Sequence, residues 1–291
     1  MPGSLSLYCH RTWRVYQSLG RGGNFDVTDL SGVDHKIRRA ERQIADLKES
    51  IGEGMSTDLQ RFVFEHDPQT GKRPLKVYGV PVIQPEWRVL IGEILYNLRS
   101  ALDHLAYQLV ILGNGQPNDN TYFPVRETPF TNKGVLRGAE LCPPVNHPQV
   151  ADLIEMCQPY RGVDGSPHPF NLSPLWRLHR LNIIDKHRVL LVVAAVLAWD
   201  QMWWGWNDSW GSSPKITVNT APLKDGSPVA WFDFHGLEPP NDFDPHPSLQ
   251  ITFCEAEMPD LIGHPVTNVL ETLCGWVEHT IVDWRFRPLF P

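Results

Sequence analysis

The sequence predicts an α+β protein, with long antiparallel helices packed on a small antiparallel sheet. Three observations carry this. Helical 3–4 spacing of apolar residues governs three stretches before residue 188, short β-type runs with turn signals crowd into 189–256, and one closing helix follows. The domain reading is an irregular extension over 1–31 and a single domain over 32–291. That domain comprises a helical part (34–188), a strand-rich part (189–256) and a closing helix (265–285).

Element by element, Gly20, Gly22 and Gly23 break any pattern in the extension. Asp34 reads as the N-cap of a helix running to about residue 53, in which Ile37, Ala40, Ile44, Leu47 and Ile51 form the buried stripe. Residues 61–65 and 75–80 read as a hairpin around the turn chemistry of Asp67 to Gly71, closed by Pro81 and Pro85. From Glu86 to about Leu112 runs the longest helical pattern, with Ile91, Leu95, Leu98, Leu102, Leu105 and Leu109 within about 80° of arc. Gly113-Asn-Gly ends it. Residues 114–148, rich in Pro, Asn and Thr, read as a surface excursion before a short helix at about 149–157.

Ser173-Pro174 is a helix start, Ser at the N-cap and Pro at the first position, of a helix ending near His187 or Arg188. Strands follow at 189–199, 215–220, 229–234 and 249–254, separated in part by the turns Lys224-Asp-Gly-Ser and Pro239-Pro-Asn. The last helix packs Val269, Leu273, Val277 and Ile281 on one side.

Composition narrows the function. A net charge of −7, with 42% hydrophobic and 20% charged residues, excludes wholesale disorder and a globally basic nucleic-acid coat protein. Any polyanion contact must be local. No stretch approaches the ~18 apolar residues of a membrane span, and the N-terminus lacks an apolar core of signal-peptide type. Five scattered cysteines (Cys9, Cys142, Cys157, Cys254, Cys274) form no CxxC pair and read as reduced thiols, so a cytoplasmic location is expected. The 26 prolines fall largely in the connecting segments, and five of the 11 tryptophans lie between Trp199 and Trp210.

Two segments could carry chemistry. On the long helix, Glu93, Asn97, Ser100, His104 and Gln108 share a polar stripe, while Arg99 and Asp103 sit on its flank at ion-pair spacing. A merely solvated face more often uses Lys and Glu. Asn, Ser, His and Gln suggest a hydrogen-bonded, partly buried seam, which is either a functional stripe or a set of satisfied interior groups. The second segment runs from His179 to Arg188. His179, Asn182 and Lys186 lie close on one face, Asp185 projects between Leu178 and Leu181, and Lys186, His187 and Arg188 end the helix. Cations there are favoured by the helix dipole, so a site and a cap are both open readings. Trp203 and Trp204, with their neighbours, form either a recognition surface for bases, sugars or proteins, or a cap on the sheet edge. No GxGxxG, P-loop, GxSxG or HExxH is present, so no cofactor or metal ligand set is assigned. A helical metal site with one His from each of several helices is a further alternative.

Asn97-Leu-Arg-Ser-Ala-Leu-Asp-His-Leu105, followed by Ile184-Asp-Lys-His-Arg188, resembles a bacterial protein group, mostly actinobacterial, with an NLRSALDHL helix about 80 residues before an IDKHR segment. That group brings no activity with it. More distantly, Arg99 and His104 resemble the Arg-x4–6-His signature of HEPN domains, many of them metal-independent ribonucleases of toxin and defence systems; Ser100 stands where those domains usually carry Asn, Asp or His. The resemblance implies His104 as general acid or base at the ribose, Arg99 holding the phosphate, and RNA as substrate or ligand. His187 and Arg188 are added here as supporting cations. A regular helix turns Arg99 and His104 about 140° apart, so a shared phosphate would require a homodimer or a distorted helix. The alternative partner is a small ligand or a protein at the tryptophans, with no membrane involved.

Overall fold

A computed structural model describes residues 29–55, 61–65, 67, 72–129, 148–162, 166–188, 192–198, 215–219, 221–234 and 248–290. It is an α+β fold. Helix α1 (Ser31–Met55) lies antiparallel on α2 (Pro85–Leu112), pairing Gly32 with His104 at one end and Ser50 with Trp87 at the other. Their joint core is the expected one: Ile37, Ala40, Ile44 and Leu47 of α1 and Ile91, Leu95, Leu98, Leu102, Leu105 and Leu109 of α2 are all buried. The first helix starts earlier than Asp34, because Asp29 accepts the Ser31 N–H and so opens the helix three residues sooner. Asp34 instead faces Arg287 across the molecule at 2.6 Å.

Strands β1 (Arg61–Phe64) and β2 (Arg73–Tyr78) form the expected hairpin. With β5 (Pro228–Asp233) and β4 (Lys215–Val218) they make one antiparallel sheet in the order β1-β2-β5-β4. The turn before β5 has the chemistry read from sequence: Gly226 takes φ +78°, and Asp225 accepts the Val80 N–H. Strands β3 (Val192–Ala198) and β6 (Ser248–Phe253) pair separately as an antiparallel ribbon.

Helix α3 (Pro148–Met156) is short, and α4 (Pro174–His187) begins after Ser173 as expected, although the serine hydroxyl makes no capping bond. The stretch after α2 is not wholly a surface excursion. Phe123 is fully buried and meets Phe286 edge-on at 6.1 Å between centroids, so burial of one ring pulls this loop into the core.

The closing helix also departs from expectation. It is α-helical over α5 (Val266–Gly275) and then winds as a π-helix over Trp276–Phe286. The spacing explains this. Val277, Ile281, Val282 and Phe286 are all buried, yet at about 100° per residue an α-helix would turn the first and last of them about 180° apart. Closure at i→i+5 brings residues four and five apart onto one face.

Candidate functional site

The polar stripe of α2 meets α1, and there its residues find partners. Gln43 donates to Glu93 at 2.6 Å, Asn97 donates to Gln43 at 2.8 Å, and Lys36 donates to Asn97 at 3.2 Å. Gln43 and Asn97 are buried. This part of the stripe is a hydrogen-bonded seam joining two helices. His104 lies at its far end, exposed on one side and covered by α1 on the other. A Cβ added to Gly32 would stand 3.1 Å from its Nδ1. Burial and the nearby Lys36 charge hold its imidazole below the ordinary value, against a smaller opposing pull from Asp103.

Arg99 points elsewhere. It is buried, at 6% exposure, and its Nη2 donates to Asp103 at 2.7 Å and to the Phe123 carbonyl at 2.6 Å. Asp103 in turn accepts the Phe123 N–H at 2.9 Å, so the three groups lock the loop onto α2. The other terminal nitrogen, Nη1, is buried without a hydrogen-bond partner. His179 of α4 lies within the field of this guanidinium. Burial, then Arg99, Lys186 and Arg180, push its imidazole down to about 4, with Glu127 pulling the other way. Its Nδ1 is likewise buried and without a partner. Glu127 is held at the same end of α4 by the Trp176 Nε1–H at 3.0 Å. Two helices and the loop therefore bring His179 near Arg99, which Asp103 holds, while His104 lies between Asp103 and the α1 side.

The end of α4 divides its residues among separate partners. Arg188 donates to the buried Glu255 at 2.9 Å and to Glu257 at 3.1 Å. Arg180 also pairs with Glu257, and Arg177 with Asp260. These carboxylates follow β6, so the arginines of α4 clamp the helix to the ribbon. The Asp185 carboxylate presses on Gly92 of α2, where a Cβ would fall 2.5 Å from either oxygen; burial raises its pKa. Lys186 and His187 are exposed, Asn182 is buried, and Ser100 is half-buried. Trp203 and Trp204 lie outside the described residues.

Sequence reasoning passed over Glu127, Glu255 and Arg285. A spaced acidic run, Glu255-x-Glu257-x-x-Asp260, was the available signal for the clamp. Arg285, between Trp284 and Phe286, is 8% exposed. A shallow, open hollow of about 390 Å³ runs along the first turns of α2, beside Val89 and Glu93. A second, of about 100 Å³, lies between α3, the start of α4 and the π-helix. Among the described residues, one group has metal-ligand geometry: Glu278, His279 and Asp283, with ligand atoms within 4.8 Å of one another. It contains none of the histidines singled out from sequence, and Arg287 holds the Asp283 carboxylate at 2.7 Å.

No helix among the described residues is long and apolar enough to cross a membrane. Comparison with known protein families, with curated proteins and with solved structures finds no match. Among the described residues, the fold is α+β, with an ion-clamped helical layer and a buried arginine whose charge reaches a half-buried histidine.

Proposed function

We propose that the protein acts on a phosphate-bearing ligand, RNA foremost, through Arg99 of α2 and His179 of α4. The observation that supports this is the buried, unpartnered Nη1 of Arg99 beside an imidazole held neutral at physiological pH. Buried polar atoms are normally paired, and an unpaired guanidinium nitrogen costs stability unless a ligand uses it. Arg99 is already fixed on one side by Asp103 and the Phe123 carbonyl, so its other side would take a phosphate oxygen once the groups that cover it move aside. A neutral His179 can accept the proton of a ribose 2′-hydroxyl as that oxygen bonds the adjacent phosphorus. The P–O5′ bond breaks, the 5′-oxygen leaving with a proton from water, while Arg99 offsets the charge that develops on the phosphate. In this reading the pair spans two helices, and His104 is a seam residue.

The test is cleavage of an end-labelled single-stranded RNA by the purified chain and its variants, with growth of overexpressing cells alongside. His179→Ala is expected to lower the rate by about 100-fold or more. Arg99→Lys should also impair it, while His104→Ala leaves it near the parent. Intact RNA with normal growth removes the reading. Loss of activity in His104→Ala but not in His179→Ala would return the chemistry to a single-helix Arg–His pair.

A further inference from the structure

The hollow between α3, the start of α4 and the π-helix shares no residue with the Arg99–His179 pair, and its chemistry is distinct. Arg161, His168 and Arg285 line it, with the hydroxyl residues Ser173 and Thr280; none of its described lining residues is acidic. Glu155 stands behind Arg161, paired with it at 3.1 Å. The Cys157 thiol at the wall stays protonated, since burial pushes it up to about 12 with Arg285 pulling the other way.

Arg285 is the central group. It is 92% buried, the complement of its 8% exposure. Its Nη1 donates to the Thr280 carbonyl at 3.1 Å, its guanidinium stacks on Trp284 at 4.8 Å, and its Nε has no partner. Ser173 is buried at the N-terminus of α4, and its hydroxyl is not spent on capping that helix. The positive end of a 14-residue helix therefore adjoins the same space.

Backbone winding brings these groups together. Trp276, Thr280 and Arg285 are spaced four and five apart. In an α-helix the outer two would point about 180° apart, whereas π winding sets all three along one wall of the hollow. Such segments are rare and are frequent at functional sites. A space of about 100 Å³ beside these groups has room for a single tetrahedral anion.

We propose that this hollow binds a tetrahedral oxyanion, either inorganic phosphate or the phosphoryl end of a phosphomonoester, between the guanidinium groups of Arg285 and Arg161 and the N-terminus of α4. The proposal is independent of the Arg99–His179 reading.

Isothermal titration of the full chain with inorganic phosphate, and separately with phenyl phosphate, in chloride buffer tests it. Saturable binding of either that the Arg285, Arg161 and Ser173 variants weaken is expected; the tighter of the two identifies free anion or ester as the ligand. Arg285→Gln should weaken binding by about tenfold or more, as loss of a charge-assisted bond implies. Arg161→Gln, at a half-exposed position, and Ser173→Ala should weaken it in protein that still folds by circular dichroism. His104→Ala, outside both the hollow and the Arg99–His179 pair, should bind as the parent does. Absence of binding by both anions, or unchanged affinity in Arg161→Gln and Ser173→Ala, overturns the proposal.

Discussion

His179 couples the fold to pH in a direction set by its burial. An unfolded chain takes up a proton on this ring as pH falls through 6.5, whereas the folded chain resists until about 4. The stability associated with the neutral ring is thus complete above pH 6.5 and is lost progressively down to about 4. Thermal midpoints measured across that window should fall, and His179→Gln should flatten part of the slope; an equal slope in the variant contradicts the assignment. Gly92 gives a second case. Alanine is ordinarily the better helix residue by about 1 kcal/mol, but here its methyl would meet the Asp185 carboxylate at 2.5 Å. Gly92→Ala should therefore destabilise the chain by about 1–3 kcal/mol. Gly92→Ala combined with Asp185→Ala should recover most of that loss in a denaturant titration, because the shorter side chain vacates the contact.

Between elements, the α1–α2 seam behaves as a chain of donors and acceptors. Asn97→Leu alone strands the Gln43 amide and should cost about 1–3 kcal/mol, whereas Asn97→Leu with Gln43→Leu should cost clearly less than the two single changes summed. Additive losses in a double-mutant cycle would deny the coupling. This seam was legible in the sequence for a physical reason: Asn and Gln on a helix surface give up the solubility of Lys and Glu, and they do so where a second helix supplies partners. Helix and strand positions were legible through apolar spacing, and the turn at Asp225-Gly226 through its backbone needs. Other contacts left no trace. Arg99 is held by the Phe123 carbonyl, and a carbonyl carries no residue identity from which to read it. The His179–Arg99 encounter joins residues 80 apart, and no periodicity relates two helices. Asp34 looked like a cap because caps are local, while its real partner, Arg287, is at the other end of the chain. Chain spacing brought His104 and Arg99 together on paper; the helix turns them to different neighbours.

At the scale of the molecule, the described residues bury two apolar clusters of unequal size. The larger unites α1, α2, α4 and the closing helix with Phe123 and the inner face of β6. The smaller holds eight buried residues around Leu75, Val229 and Phe232, and Met55 and Ile83 touch both. Opening free energy follows the apolar surface that each unit buries. Native-state hydrogen exchange should therefore show the amides of β1, β2, β4 and β5 opening at lower free energy than those of α2. Equal protection in the two would mean that the clusters unfold as one. The π-helix has a different bearing on the whole. Its breadth places Arg285 and Phe286 inward only because the segment holds the number of residues it does. Side chains on its outer surface are free to vary, but losing or gaining one residue would change the phase of everything after it. Arg285 would leave its hollow, Phe286 would leave Phe123, and Arg287 would leave Asp34. For this stretch of chain, length is a stricter constraint than composition.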